Sequence, residues 1–325
     1  MLLPRQRYAF LFTAVSAPVV AAASRLSWPW VMTTVLLAAA VLVGLHYLQS
    51  RSASPLAVTT RKVWGRGLGA GILAVQLLFA AVFLGQLALG AASAFPDDKT
   101  APFVPLTLLA VCAWAAWQGR AAAVRAVGVL FFFLAGLYLT VFASSVKAME
   151  FSRLAYVEQE GNVLPLAVVL LLPLYGQYLQ TPREEKGRFP VLWLLAFVLL
   201  PVAASMVCTA VPGARGTFYN MAKSVEVVSF AQRLEPLVSC ATTIGWFAAL
   251  ALTAVSAGEM AGSLGVPPRW GAMLVCLPAA GIVLAGRPIA PEILLPAGAI
   301  CCVILPLLTQ FVGQKKTPKN KQKKC

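Results

Sequence analysis

The sequence predicts an all-α integral membrane protein, and three observations predict it. Ten stretches are apolar or nearly so: 8–24, 28–48, 67–93, 102–118, 126–146, 162–180, 189–211, 236–258, 270–286 and 289–313. Their lengths are close to the roughly 17–25 residues a helix needs to cross the hydrocarbon core. The loops between them alternate in charge, and 60% of the 325 residues are hydrophobic, with a mean hydropathy of +0.81. That composition excludes a soluble globular domain.

The charge alternation orients the chain. One loop set carries Arg5 and Arg7, then Arg51, Arg61, Lys62 and Arg66, then Arg120 and Arg125, then Arg183, Lys186 and Arg188, then Arg269 and the Lys-rich end. It holds 18 of the 26 Lys and Arg residues and three acids, Glu184, Glu185 and Glu259. The opposite set holds the remaining eight basic residues and eight of the eleven acids. The positive-inside rule then places both termini in the cytoplasm. The net charge of +15 is therefore a topology and anionic-lipid signal, not a nucleic-acid one. Residues 1–313 read as one transmembrane domain and 314–325 as a polybasic cytoplasmic tail. No cleavable signal peptide is evident, so the first span is expected to stay in the protein.

Along the chain, polar or helix-breaking residues inside spans are the informative ones, because an unpaired polar group in hydrocarbon is costly. The first span contains Val15-Ser16-Ala17-Pro18, where proline removes a backbone donor. The second carries His46, the only histidine, near its cytoplasmic end, where a packing or interfacial role is expected rather than catalysis. The third carries Gln76 and Gln86, close to three turns apart and hence on one face, either lining a cavity or bonding a neighbouring helix. The sixth contains Pro173-Leu174-Tyr175-Gly176-Gln177, a second break with hydrogen-bonding side chains beside it. The eighth carries Thr242 and Thr243, whose hydroxyls can bond their own helix. Residues 218–235, ahead of it, read as an amphipathic outer-surface helix, either a lid or an interfacial segment. Glu292 opens the tenth span, near the outer face, and no acid sits at a predicted midplane.

Spans one and six occupy equivalent places if the domain is two five-helix halves, about 8–146 and 162–313. Paired interrupted helices at corresponding positions point to a midplane binding site in inverted-repeat transporters. The candidate ligand-binding residues are thus Ser16, Ala17, Pro18, Gln76, Tyr175, Gly176, Gln177, Thr242 and Thr243. No catalytic triad, P-loop or HExxH motif is present, so neither an enzyme nor a self-contained ATP-driven pump is expected. The seven cysteines, with no CxxC or Cys/His spacing, suggest no metal site and no cofactor.

Several passages together resemble the B-subunit permease of bacterial spore germinant receptors, within the amino acid/polyamine/organocation transporter superfamily. They are the opening Leu3-Pro4-Arg5-Gln6, Trp114-Ala115-Ala116-Trp117-Gln118-Gly119-Arg120 with Arg125 after it, Asn162-Val163-Leu164-Pro165, and Val225 through Glu235, ending in Arg233-Leu234-Glu235 with Trp246 following. The resemblance runs in order over nearly the whole chain. It implies a LeuT-like bundle of two inverted five-helix repeats, in the bacterial cell membrane or spore inner membrane. It also implies a nutrient ligand, commonly an amino acid, and two partner subunits, a larger membrane protein and a lipoprotein. The ligand would meet the chain at Ser16–Pro18 and Tyr175–Gln177. The chain departs from the pattern after Gly176, where Thr181-Pro182-Arg183-Glu184-Glu185-Lys186 follows almost at once. The inner half of span six is expected to be short, which favours a sensor over an ion-coupled carrier. A diverged assembly subunit with no ligand is the third reading.

Overall fold

Each of the ten apolar stretches carries helix among its described residues. A computed structural model describes residues 4–50, 54–93, 103–155, 161–179, 191–212, 218–224 and 235–316. Its α-helices are α1 (Pro4–Ala23), α2 (Trp28–Ser50), α3 (Leu56–Ser93), α4 (Phe103–Trp117), α5 (Arg120–Ser145), α6 (Leu164–Val169), α7 (Val191–Ala210), α8 (Phe218–Ser224), α9 (Glu235–Ser263), α10 (Pro268–Ala285), α11 (Pro291–Ala299) and α12 (Leu305–Lys316). A 3₁₀ stretch, Leu172–Leu179, continues α6, and a π-helical turn, Ile300–Ile304, joins α11 to α12. Seven helical segments are long and apolar enough to cross a membrane: Trp28–Gln49, Leu56–Ala92, Arg120–Ala148, Val191–Ala210, Glu235–Ser263, Pro268–Ala285 and Pro291–Gly313. Phe103–Trp117 and Leu164–Leu179 are apolar but shorter.

Two local features depart from the sequence reading. The basic segment before span three is not a loop. It is helix from Leu56, running into the span through a kink at Gly65, whose φ of 78° and ψ of 178° suit only glycine. The two arms fold close together there: a Cβ on Gly69 would stand 2.9 Å from the Cα of Arg61. Helix α1, in contrast, stays α-helical straight through Pro18, so the expected interruption at Ser16–Pro18 is absent. The hydroxyl of Ser16 donates to the carbonyl of Thr13 at 2.8 Å and that of Thr13 to Ala9 at 2.8 Å. These bonds keep the small polar residues of α1 satisfied within their own helix. Most of the amphipathic segment 218–235 lies outside the described residues. Only its first turns, α8, and Glu235, at the start of α9, are described. The passage 181–186 after span six and the tail beyond Lys316 also lie outside them.

The bundle is organised around α9. It packs against α1, α3, α4, α5, α10 and the 3₁₀ stretch, and it is the most buried of the seven long segments. Its core-facing residues are small: Ala248, Ala249, Ala251, Ala254, Ala257 and Gly258 are all within the buried set. Small side chains let helix backbones approach, which supplies dispersion contact where no hydrophobic effect separates helix from lipid. A Cβ on Gly258 would stand 2.6 Å from the carbonyl oxygen of Pro268. The opposite faces carry exposed Leu37, Leu68, Leu78, Phe132, Phe133, Leu139, Leu192 and Leu277, the pattern of a surface that meets lipid.

The described parts of the two loop sets gather at opposite ends. At one end Arg120 Nε lies 3.8 Å from Glu259 Oε1, and Arg61 donates to the Ser263 carbonyl. There the Trp64 indole donates to Thr309 at 3.0 Å, and Trp117 meets Trp270 edge-on at 5.0 Å. At the other end the Trp28 indole donates to the Leu154 carbonyl at 3.2 Å, Ser205 donates to Leu26, and Glu150 N bonds the Ala210 carbonyl at 2.9 Å. Every partner at the first end comes from the basic loop set or the span ends beside it.

Candidate functional site

The break in span six forms where the sequence places it. After α6 the chain tightens into eight residues of 3₁₀ helix, long for a conformation that is uncommon beyond three or four residues. All eight, Leu172 to Leu179, are buried. A 3₁₀ run leaves backbone groups poorly paired, and two of its carbonyls are capped by side chains from far along the chain. The Ser256 hydroxyl of α9 donates to the Tyr175 carbonyl at 3.0 Å. The Gln49 amide at the end of α2 donates to the Gln177 carbonyl at 2.7 Å. Two helices thereby hold the irregular segment by hydrogen bonds worth most in a water-poor interior.

Tyr175 is the anchor of this segment. Its ring stacks on Phe83 at 5.6 Å and 12°, and Phe83 in turn stacks on Phe79 at 5.8 Å. The ring of Tyr178 follows at 6.5 Å. The hydroxyl of Tyr175 lies beside the Cys302 thiol in the π-helical turn. Gly176 faces α1 with no room to spare: a Cβ there would stand 2.6 Å from Leu11 Cδ2.

At the first sequence-predicted break the packing is also tight. Gly245 of α9 presses against α1 so closely that a Cβ would stand 2.4 Å from Ala17 Cβ and 3.0 Å from Ser16 Oγ. Helix α8 packs over α5 and α9 nearby. Phe218 packs on Tyr138 at 6.2 Å and Phe142 at 5.7 Å, Ser145 donates to Met221 Sδ at 3.3 Å, and the Tyr138 hydroxyl reaches Ser16. Helix α1 is thus tightly packed against both α9 and the 3₁₀ segment.

The remaining predicted site residues sit elsewhere. Gln76 donates to the Cys301 carbonyl at 2.9 Å, satisfying a group of the π-helical turn, and Gln86 accepts from Ile289 N at 3.0 Å. Both glutamines of the shared α3 face therefore clasp the last helical hairpin, the neighbour-bonding alternative. Thr243 is exposed and donates to Ser239 of its own helix at 2.8 Å, with Thr242 half-buried beside it. Sequence reasoning missed Ser256 and Gln49, and no local signal marks either one, since their partners lie 81 and 128 residues away.

A cavity of about 30 Å³ lies next to the segment, on the side of α2 and α7. It is lined by Arg7, Tyr8, Leu11, Leu42, His46, Pro173, Gly176, Gln177 and Trp193. That volume holds about two waters and is far below the roughly 300 Å³ of a small-molecule pocket.

No protein-family profile matches the chain. No curated protein matches it either. Among solved structures it is similar to MhsT in complex with L-phenylalanine, at 11% sequence identity and a TM-score of 0.57, over 95% of this chain and 87% of that one. The likeness gives the chain a LeuT-like transporter fold. With its long apolar helices, this is an integral membrane protein.

Proposed function

We propose that the chain is the nutrient-binding membrane subunit of a spore germinant receptor. In this reading an amino acid binds at the break of span six and shifts a two-state bundle, and the shift passes to a larger membrane subunit and a lipoprotein. The observation that carries the proposal is the site itself: a transporter-like fold with an irregular, doubly capped segment at Tyr175–Gln177, packed shut against α1 and α9. The complex of MhsT with L-phenylalanine supports an amino acid as the ligand class. The sequence resemblance supports the receptor.

Ten spans in two inverted repeats, about 8–146 and 162–313, with both termini cytoplasmic, complete the reading. The helix contacts support it, because a pseudo-two-fold relating each span to the one five later maps them onto one another. The α3–α10 contact maps onto α4–α9, α5–α9 onto α3–α12, α1–α5 onto α6–α11, and α1–α7 onto α2–α6.

An ion-coupled amino-acid carrier is the alternative. It is favoured by the fold and opposed by the lack of a carboxylate beside the break among the described residues. The test is the dose response of spores to single amino acids. Tyr175→Ala removes the Phe83 stack, and Gly176→Leu drives a side chain into Leu11. Each is expected to abolish the response while the protein remains in the membrane. An unchanged dose response in both variants refutes the site, and uptake of labelled amino acid by vesicles holding this chain alone establishes the carrier instead.

A further inference from the structure

Away from the break, Cys112 of α4 and Cys276 of α10 are free, buried cysteines whose thiols hydrogen-bond each other. Their helices pack side by side and run in opposite directions. At the inner end Trp117 meets Trp270 edge-on at 5.0 Å, and the cysteines follow one and a half turns further along each helix, about 8 Å deeper. Cys301 and Cys302 are also adjacent, but as sequence neighbours their Cα atoms stand about 3.8 Å apart, inside the roughly 4.4 Å minimum a disulfide spans. Cys112 is fully enclosed, whereas Cys276 keeps a little surface, and Leu274 and Leu277 beside it are exposed on the lipid-facing side of α10. A buried thiol is ordinarily inert, because apolar surroundings disfavour the reactive thiolate. Here each sulfur has the other as its hydrogen-bond partner, so the Cys112 thiol is in place to steady the Cys276 sulfur as that sulfur gives up its proton.

We propose that Cys112 and Cys276 are a redox-active dithiol, closed to a disulfide by a two-electron oxidant of the quinone class dissolved in the bilayer. The depth of the pair and its opening toward lipid select a lipid-soluble oxidant over a charged, water-borne one. In the step both S–H bonds break and one S–S bond forms. The two protons and two electrons pass to the quinone, which leaves as the hydroquinone. The bond braces α4 on α10. Helix α10 is itself seated closely on α9, where a Cβ on Gly271 would stand 2.2 Å from Ala261 Cβ, and α9 carries the Ser256 cap of the Tyr175 carbonyl. Oxidation therefore stiffens the scaffold that holds the break. The inference does not use the receptor reading, since it rests only on the α4–α10 contact.

The experiment treats the purified full-length protein, in mixed lipid–detergent micelles, with tetramethyl-1,4-benzoquinone, which has no free ring position to add a thiol. Cys240→Ser and Cys325→Ser are introduced beforehand to prevent links between copies. Peptide mass mapping is expected to find Cys112 joined to Cys276 with the loss of two hydrogens. Thermal unfolding is expected to show Tm raised by roughly 5 °C. Dithiothreitol is expected to reverse both changes, and Cys112→Ala or Cys276→Ala to abolish both. Cys112 and Cys276 that both remain open to alkylation in denaturant after the quinone treatment would overturn the inference, whatever the variants do. A disulfide that maps to other cysteines would overturn it too. So would a Cys112–Cys276 bond that leaves Tm unchanged, since the pair would then brace nothing.

Discussion

Replacing Gly245 by alanine adds one methyl group at the tightest point between α9 and α1. In an unobstructed helix that change is favourable by about 1 kcal/mol, because glycine gives up the most backbone freedom on folding. Here the new Cβ would stand 2.4 Å from Ala17 Cβ and 2.9 Å from Ala17 N, where ordinary contacts begin near 3.4 Å. Neither neighbour is the flexible end of a long side chain, so the two helices must part by about 1 Å. Forcing volume into a packed interior costs typically 1–3 kcal/mol, and the contact at Ser16 Oγ adds to it. The steric cost outweighs the propensity gain, and we expect a net loss of about 1–2 kcal/mol. Gly44→Ala is the control: nothing lies within 4 Å of a Cβ there, so the same chemical change is expected to be neutral or stabilising. Combining Gly245→Ala with Ala17→Gly removes the 2.4 Å contact and is expected to recover part of the loss, a non-additivity of about 0.5 kcal/mol or more. Thermal denaturation of the three variants and the double mutant in one detergent is the assay. A Gly245→Ala protein as stable as Gly44→Ala would show that α1 and α9 do not meet at this point.

Two further outcomes follow from the same packing. Gln76→Leu strands the Cys301 carbonyl and is expected to cost about 0.6 kcal/mol, and no more than roughly 1.7, read as a lowered thermal midpoint in detergent. In a background without native cysteines, a membrane-impermeant maleimide is expected to label Ser152→Cys on intact cells and Gln118→Cys only after permeabilisation, since both side chains are exposed and the loop charges put them on opposite faces.

Much of the fold is legible in the sequence because burial in a membrane is written residue by residue. The ten apolar stretches all carry helix, and the charged loops collect at two ends. The break at Tyr175–Gln177 is legible because proline and glycine act locally on the backbone. The same kind of signal at Ser16–Pro18 did not carry over. Pro18 costs α1 one donor, but Ser16 and Thr13 bond within the helix and α9 packs tightly against it, so tertiary contact keeps the helix continuous. The kink at Gly65 was hidden in a basic segment that reads as loop. The capping of the break by Ser256 and Gln49, and the meeting of Arg7, Gln177 and Trp193 around one cavity, depend on residues far apart in sequence. No local pattern records such pairings. Gln76 and Gln86 fall between the two cases: their shared face follows from helical spacing, but their partner, the last hairpin, does not.

The central claim is that a transporter-like fold here senses a nutrient. Germination of spores lacking this gene, scored by release of dipicolinic acid across a panel of single amino acids, tests it most directly. We expect loss of response to particular amino acids, restored by the intact gene. A normal response to every amino acid in the panel would contradict the account.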